Sequence, residues 1–150
     1  MQLPCSEELN IEYLGRLFDN TSECYKFFWF KAIVAKVTEG KQEISYEELV
    51  DEMIADAWYM VTEYHLNLGP KDTLGAVVNL IKQKYPELKS CEKKTEILDL
   101  LKNTQDRDIN SKKRTLTYNV PYRLQSPFMP SMKGKEWDVS ESNLIAKINQ

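Results

Sequence analysis

The chain has 150 residues, of which 42% are hydrophobic and 29% charged, with a formal net charge of −3. This length and composition suit one domain with a buried core and exclude a disordered polymer. Because only five glycines and six prolines are present, turn-rich β-sandwiches are disfavoured and helices are favoured. A single histidine excludes most zinc sites and any catalytic centre that needs two imidazoles.

The cysteines and the N-terminus indicate the cellular compartment. An odd number of cysteines without a CxxC pair favours a reducing compartment, and they are Cys5, Cys24 and Cys91. The N-terminus turns acidic within eight residues, so it lacks the basic and apolar regions of a secretory signal. The longest apolar stretch, residues 27–37, contains two lysines and falls short of the roughly 20 residues that cross a bilayer. We expect a cytoplasmic protein without a membrane partner.

Hydrophobic periodicity predicts two helices near the N-terminus. The first is short and amphipathic, covers residues 10–18 and has Asn10 as its N-cap. The second covers residues 22–39, is apolar on nearly every face and ends at Gly40. Because such a helix has to be surrounded by others, we expect it to be the centre of a bundle.

The third helix has the clearest start signal in the sequence. Ser45 and Glu48 have the spacing of a capping box, and Ile44 and Leu49 occupy the positions of a hydrophobic staple. One apolar stripe follows, formed by Leu49, Val50, Met53, Ile54, Ala57 and Trp58. The opposite side carries Glu47, Glu48, Asp51, Glu52 and Asp56.

Two further helices are predicted before residue 105. Asp72 caps one that ends before Pro86, and Ser90 precedes another. From Arg114 the hydrophobic period changes to two, which predicts a strand or an extended arm that continues through a proline-rich stretch. A last helical pattern runs from Ser140 to the end of the sequence without a stop signal. We therefore expect the sequence to be the front of a longer chain, with a frayed terminal helix as the alternative.

These elements predict a mainly α fold with one domain overall. We expect a bundle of about five to six helices around the helix at 22–39, with an extended or short β arm at 112–135. Residues 1–108 would form the helical core, and residues 109–139 a basic arm packed on it. Residues 140–150 would begin a further, truncated helix.

Charge is distributed unevenly along the chain. Residues 1–108 carry 13 basic and 20 acidic side chains, whereas residues 109–135 carry six basic and no acidic ones. Residues 43–56 contain six acids and no base. Paired carboxylates can bind magnesium or act as acid and base, but on an amphipathic helix a solvated face is the favoured interpretation. A third alternative is that this acidic face docks the basic segment, residues 109–135, within the same molecule.

The basic segment is the strongest functional signal. Its positive charges alternate with aromatic residues, a mixture that can neutralise phosphates and stack on bases. The candidate nucleic-acid-binding residues are Lys112, Lys113, Arg114, Tyr122, Arg123, Lys133 and Lys135. The structural alternatives are a solvated basic surface and aromatic anchors for an arm lying on the helices.

Signals for catalysis are weak. His65 has no second imidazole or nearby cysteine to complete a site, and neither GxSxG nor a phosphate-binding glycine loop occurs. We predict no catalytic residue, no metal ligand and no cofactor in this chain, and a free-standing enzyme ranks last.

Two stretches carry a resemblance to a known family. Residues 17–34 contain a pattern of the type F-x-N-x-T-x-x-Y-K-x-x-W-F, and residues 120–128 contain one of the type P-Y-R-x-x-S-P-F. The matching residues are Phe18, Asn20, Ser22, Tyr25, Lys26, Trp29 and Phe30, then Pro121, Tyr122, Arg123, Ser126, Pro127 and Phe128. Ser22 departs from the first pattern, although Thr21 stands beside it. The chain thereby resembles the N-terminal region of bacterial HNH endonuclease domain-containing proteins.

This resemblance implies a non-catalytic module. In such proteins the nuclease core lies farther toward the C-terminus and needs at least two histidines and an asparagine around a divalent ion, so its catalytic residues match no position here. The implied partners are DNA and a C-terminal nuclease domain of the same polypeptide. The alternative from another class is a protein interaction or scaffold module, in which the arm and the acidic face contact a partner or a second copy of the chain.

Overall fold

The computed structural model describes Ile11, Gly15, residues 24–69 and residues 72–125, with side chains as far as residue 118. The chain divides into two compact units. Glu23–Thr117 forms one, and Met1–Ser22 together with Tyr118–Gln150 forms the other.

Five helices, and no strand, occur between residues 24 and 125 apart from positions 70 and 71. They are α1 (Tyr25–Thr38), α2 (Tyr46–Thr62), α3 (Thr73–Lys84), α4 (Lys94–Asn103) and α5 (Arg107–Gln125). The prediction of a mainly α protein is confirmed. Over the same part of the chain, no helix is both long enough and apolar enough to cross a bilayer.

Local sequence signals mark the starts of α2 and α3 and the end of α1 as predicted, whereas α4 begins after Lys93 without a side-chain cap. The capping box at the start of α2 is present, because Ser45 accepts a hydrogen bond from the backbone N–H of Glu48 and the Glu48 carboxylate accepts one from the backbone of Ser45. The Asp72 carboxylate accepts two backbone N–H groups in the first turn of α3. Gly40 follows α1 with a φ of 82°, in the left-handed region that glycine favours.

The centre of the described helices is α2, which packs against α1, α3 and α4. Its predicted apolar stripe is buried along its whole length. The prediction that the helix at 22–39 would be central is wrong, since Phe27, Val34 and Val37 of α1 are 51%, 47% and 59% exposed. Three acidic residues of α2 masked its central position in the sequence, because the side chains of Asp51, Glu52 and Asp56 are buried as well.

The extended arm predicted from residue 112 is wrong as far as residue 125, where the chain is the helix α5. Ile109, Lys113 and Leu116 of this helix are buried, and their spacing of four and three residues places them on one helical face. Burial of that face outweighs the period-two pattern that begins at Arg114. The remainder of the arm, residues 126–135, lies outside the described residues. So does the pattern at 140–150, and most of the helix predicted at 10–18.

Candidate functional site

Three carboxylates of α2 are buried inside the bundle. The side chains of Asp51, Glu52 and Asp56 are only 5%, 2% and 6% exposed. The interpretation of this face as solvated is therefore wrong for these three residues. A buried carboxylate is expensive unless it is paired, so its partners determine how the helices assemble.

Lysines from the neighbouring helices provide those partners, and they form a continuous chain of ion pairs. Lys36 Nζ of α1 lies 2.5 Å from Oε1 of Glu52, while Lys94 of α4 pairs with the other oxygen of the same carboxylate. Lys94 Nζ also lies 3.0 Å from Oδ1 of Asp56, and Lys31 Nζ of α1 lies 3.1 Å from that oxygen. The carboxylates of α2 thus connect α1 to α4.

The third buried carboxylate binds α5. Lys113 Nζ lies 2.6 Å from Oδ1 of Asp51 and 3.7 Å from Oε1 of Glu47, and it donates a hydrogen bond to the backbone oxygen of Leu101 at 3.1 Å. The alternative in which the acidic face docks the basic segment within the molecule is thus realised at Lys113. This ammonium is buried and is not presented at the surface.

The two acidic neighbours Asp51 and Glu52 differ in how firmly they are ionised. Burial raises the pKa of Glu52, but the hydrogen bonds from Lys36 and Lys94 outweigh it, so the pKa lies below its ordinary value. Burial also raises the pKa of Asp51, and the single ammonium of Lys113 does not fully offset it, so that pKa stays above its ordinary value. Two lysines therefore hold Glu52 ionised, whereas the pairing of Asp51 is the weaker one.

A cleft of about 410 Å³ opens beside these carboxylates, at the N-terminal end of α2. Its lining is charged and consists of Lys36, Glu39, Lys41, Ser45, Glu47, Glu48, Asp51, Glu52, Leu98 and Lys102. Much of this charge is paired within the wall, as in the ion pairs of Lys41 with Glu48 and of Lys36 with Glu39. The Lys41 ammonium and the backbone N–H of Ser45 lower the pKa of Glu48 to about 2. We interpret the cleft as a solvated gap between ion pairs, because structural ion-pair networks perturb pKa values as catalytic sites do.

The buried carboxylates of α2 are not arranged as a set of metal ligands. Among the residues it describes, no group of three or more histidine, cysteine, aspartate or glutamate side chains is arranged to hold a metal ion. His65 is exposed, in the segment that follows α2, with a φ of 50°.

The predicted nucleic-acid-binding residues are distributed around α5. Arg114 is exposed, Lys112 is half-buried, and Lys113 is buried against α2. Tyr122 and Arg123 lie in the helix α5, but the structure describes side chains only as far as residue 118. Lys133 and Lys135 lie outside it altogether. The structure therefore places one of the seven residues, Lys113, in an internal ion pair.

Sequence reasoning missed Lys31, Lys36 and Lys94 as partners of the acidic helix. A signal for two of them is present, since residues 24–38 carry three lysines and no acid whereas residues 43–56 carry six acids and no base. Opposite charge on two consecutive helices indicates that their charged residues face each other.

Comparison with known proteins adds no family to this description. No protein family, curated protein or solved structure matches the chain. The fold is accordingly defined by its own contacts, as a helical unit whose central acidic helix is neutralised from within by lysines.

Proposed function

We propose that the protein is a non-catalytic module that holds nucleic acid through the basic segment and positions an HNH nuclease-like core. The observation that carries this proposal is the segregation of charge, with six basic and no acidic residues over 109–135 in a chain of net charge −3. A basic stretch of this kind is the electrostatic footprint of phosphate binding. The nuclease core is implied by the resemblance of the two sequence motifs alone.

The outward face of α5 supplies a surface for such contacts. Arg107, Ser111 and Arg114 recur at four and three residues, which places them on one side of the helix, and all three are exposed. Arginine and serine side chains are common ligands of phosphate oxygens. This face lies opposite the buried side formed by Ile109 and Leu116. Burial of one side of α5 therefore orients two guanidinium groups toward solvent.

Electrophoretic mobility shift at about 50 and about 200 mM salt tests this function on single-stranded and double-stranded oligonucleotides. With Lys113 paired internally, the other five basic residues of the segment would make five phosphate contacts, which lower affinity about 500-fold over that range. Replacing both Arg107 and Arg114 with glutamine should weaken binding and reduce its salt dependence by about one contact for each residue. The matched control is Lys89→Gln, which removes one charge from an exposed lysine elsewhere. If neither the single-stranded nor the double-stranded oligonucleotide shifts at low salt, the proposal is refuted.

A second candidate function, a protein interaction module, has its own supporting observation. Tyr59, Tyr64 and Leu66 are exposed around the C-terminal end of α2, and the two tyrosine rings meet edge to face at 5.4 Å. Exposed tyrosines are enriched at protein interfaces. Tyr64→Ser should then reduce self-association in sedimentation velocity while DNA retention is unchanged. Unchanged self-association of the Tyr64→Ser variant refutes this second function.

A further inference from the structure

We propose that the first turns of α5, residues 107–117, form a latch that detaches from α2 while the rest of Glu23–Thr117 stays folded. Detachment releases Lys113 from Asp51 and adds it to Lys112 and Arg114 as a third available positive charge. The consequence for nucleic acid rests on the proposed function above, whereas detachment itself does not.

The first observation is the way in which α5 is attached. The helices α1, α3 and α4 pack closely along α2. Residues 107–117 attach to them through one buried face of α5 and through the ion pair of the exposed Asp108 with Lys84. Within residues 107–117, the buried side chains are Ile109, Lys113 and Leu116. A segment with few buried apolar contacts is expected to open at a lower free energy than the core.

The second observation is the chemistry of the central contact. Lys113 stands between two aliphatic residues on the buried face, and its counter-ion Asp51 belongs to another helix. The ammonium of Lys113 lies 2.6 Å from Oδ1 of Asp51. Burial of two charges offsets much of their attraction, so such a pair contributes little net stability. The ion pair of Lys113 with Asp51 therefore fixes the position at which α5 docks on α2, but it adds little to the free energy of docking.

The third observation is the weakness of α5 as an isolated helix. The hydroxyls of Thr115 and Thr117 donate hydrogen bonds to the backbone oxygens of Ser111 and Arg114. Threonine and serine are poor helix formers, and hydroxyls bonded to the preceding turn tend to bend helices. Pro121 has no N–H, so the carbonyl of the residue four before it lacks its helical donor. From Arg114 onward the sequence also fits an extended chain by its period of two, so the helix depends on its docking.

These observations give Asp51 a second role. In the docked state the Asp51 carboxylate pairs with the ammonium of Lys113, which a phosphate would otherwise contact. A polyanion that binds the detached state shifts the population toward it, to the extent of its differential affinity. Asp51 would therefore act as an internal competitor of the ligand.

Hydrogen exchange of the full chain, followed by mass spectrometry, tests the latch directly. Amides of residues 107–117 should exchange at least about tenfold faster than those of the core of α2, because they open without global unfolding. Asp51→Asn should accelerate exchange in 107–117 by a larger factor than in the core of α2, because the latch opens before the protein unfolds. The control Glu43→Gln removes an exposed acid next to α2 and should change neither. Exchange of 107–117 in step with α2 in the unmodified protein overturns the proposal, even if the Asp51 variant fails to fold.

Salt-dependent binding of the same proteins to an oligonucleotide separates the latch from its ligand. For Asp51→Asn, the slope of log affinity against log salt should steepen by about 0.9, the value of one more phosphate contact. Faster exchange together with an unchanged slope supports the latch and refutes its link to nucleic acid. Faster exchange without any binding by either protein refutes the proposed function and leaves the latch supported.

Discussion

Replacing Glu52 with glutamine tests whether the internal ion pairs hold the bundle together. The substitution preserves the size of the side chain but removes the charge between Lys36 and Lys94. Breaking a buried pair on one side costs about 3 to 5 kcal/mol, because the remaining charges stay buried without compensation. Each lysine keeps one other carboxylate, Glu39 for Lys36 and Asp56 for Lys94, so we expect the lower figure, about 3 kcal/mol.

Urea unfolding followed by circular dichroism measures this loss. With an m value of about 2 kcal/mol/M, the midpoint for Glu52→Gln should fall by about 1.5 M. The control is Glu47→Gln, the same chemical change on the same helix, at a side chain that is 74% exposed. We expect that control to stay within about 0.5 kcal/mol of the unmodified protein. If both variants are equally stable, Glu52 does not hold α1 and α4 on α2.

Two further predictions concern ion pairs at α2. Lys113→Met alone should destabilise the protein by about 3 kcal/mol, because it leaves the Asp51 carboxylate buried without a partner. Adding Asp51→Leu should restore stability to within about 1 kcal/mol of the unmodified protein, because no buried charge then remains unpaired. Thermal unfolding compares the two variants, and an equal loss in both contradicts the reasoning. The pKa of Glu48 is about 2, so its ion pair with Lys41 stabilises the fold above the ordinary pKa of 4.5 and the contribution disappears as the pH falls toward 2. Glu48→Gln should therefore flatten the acid limb of the stability curve by about 1 kcal/mol, given the partial exposure of the pair; an acid limb identical to that of the unmodified protein argues against this assignment.

Local signals in the sequence predicted the starts of α2 and α3 and the end of α1. The capping box of Ser45 and Glu48 and the Asp72 cap depend on residues two or three positions apart, so their geometry follows from the sequence alone. The buried stripe of α2 is likewise a matter of spacing along one helix. These features needed no knowledge of which helix would pack against which.

Features that depend on distant residues were not predictable in the same way. The acidic side of α2 has the spacing of a solvated face, and only the lysines of other helices allow Asp51, Glu52 and Asp56 to be buried. From Arg114 onward α5 has the pattern of a strand, and its helical form depends on the burial of Ile109 and Leu116 against the bundle. Tertiary packing overrides local propensity in both cases.

The central functional claim is that the basic segment contacts nucleic acid, and photocrosslinking tests it most directly. The full chain is irradiated with a bromodeoxyuridine-substituted oligonucleotide at low salt, and the crosslinked peptides are identified by mass spectrometry. Crosslinks should concentrate in peptides from residues 109–135, where six basic and no acidic side chains lie. They should also disappear as the salt concentration rises. A stable complex whose crosslinks all lie outside this segment, or the absence of any complex at low salt, contradicts the claim.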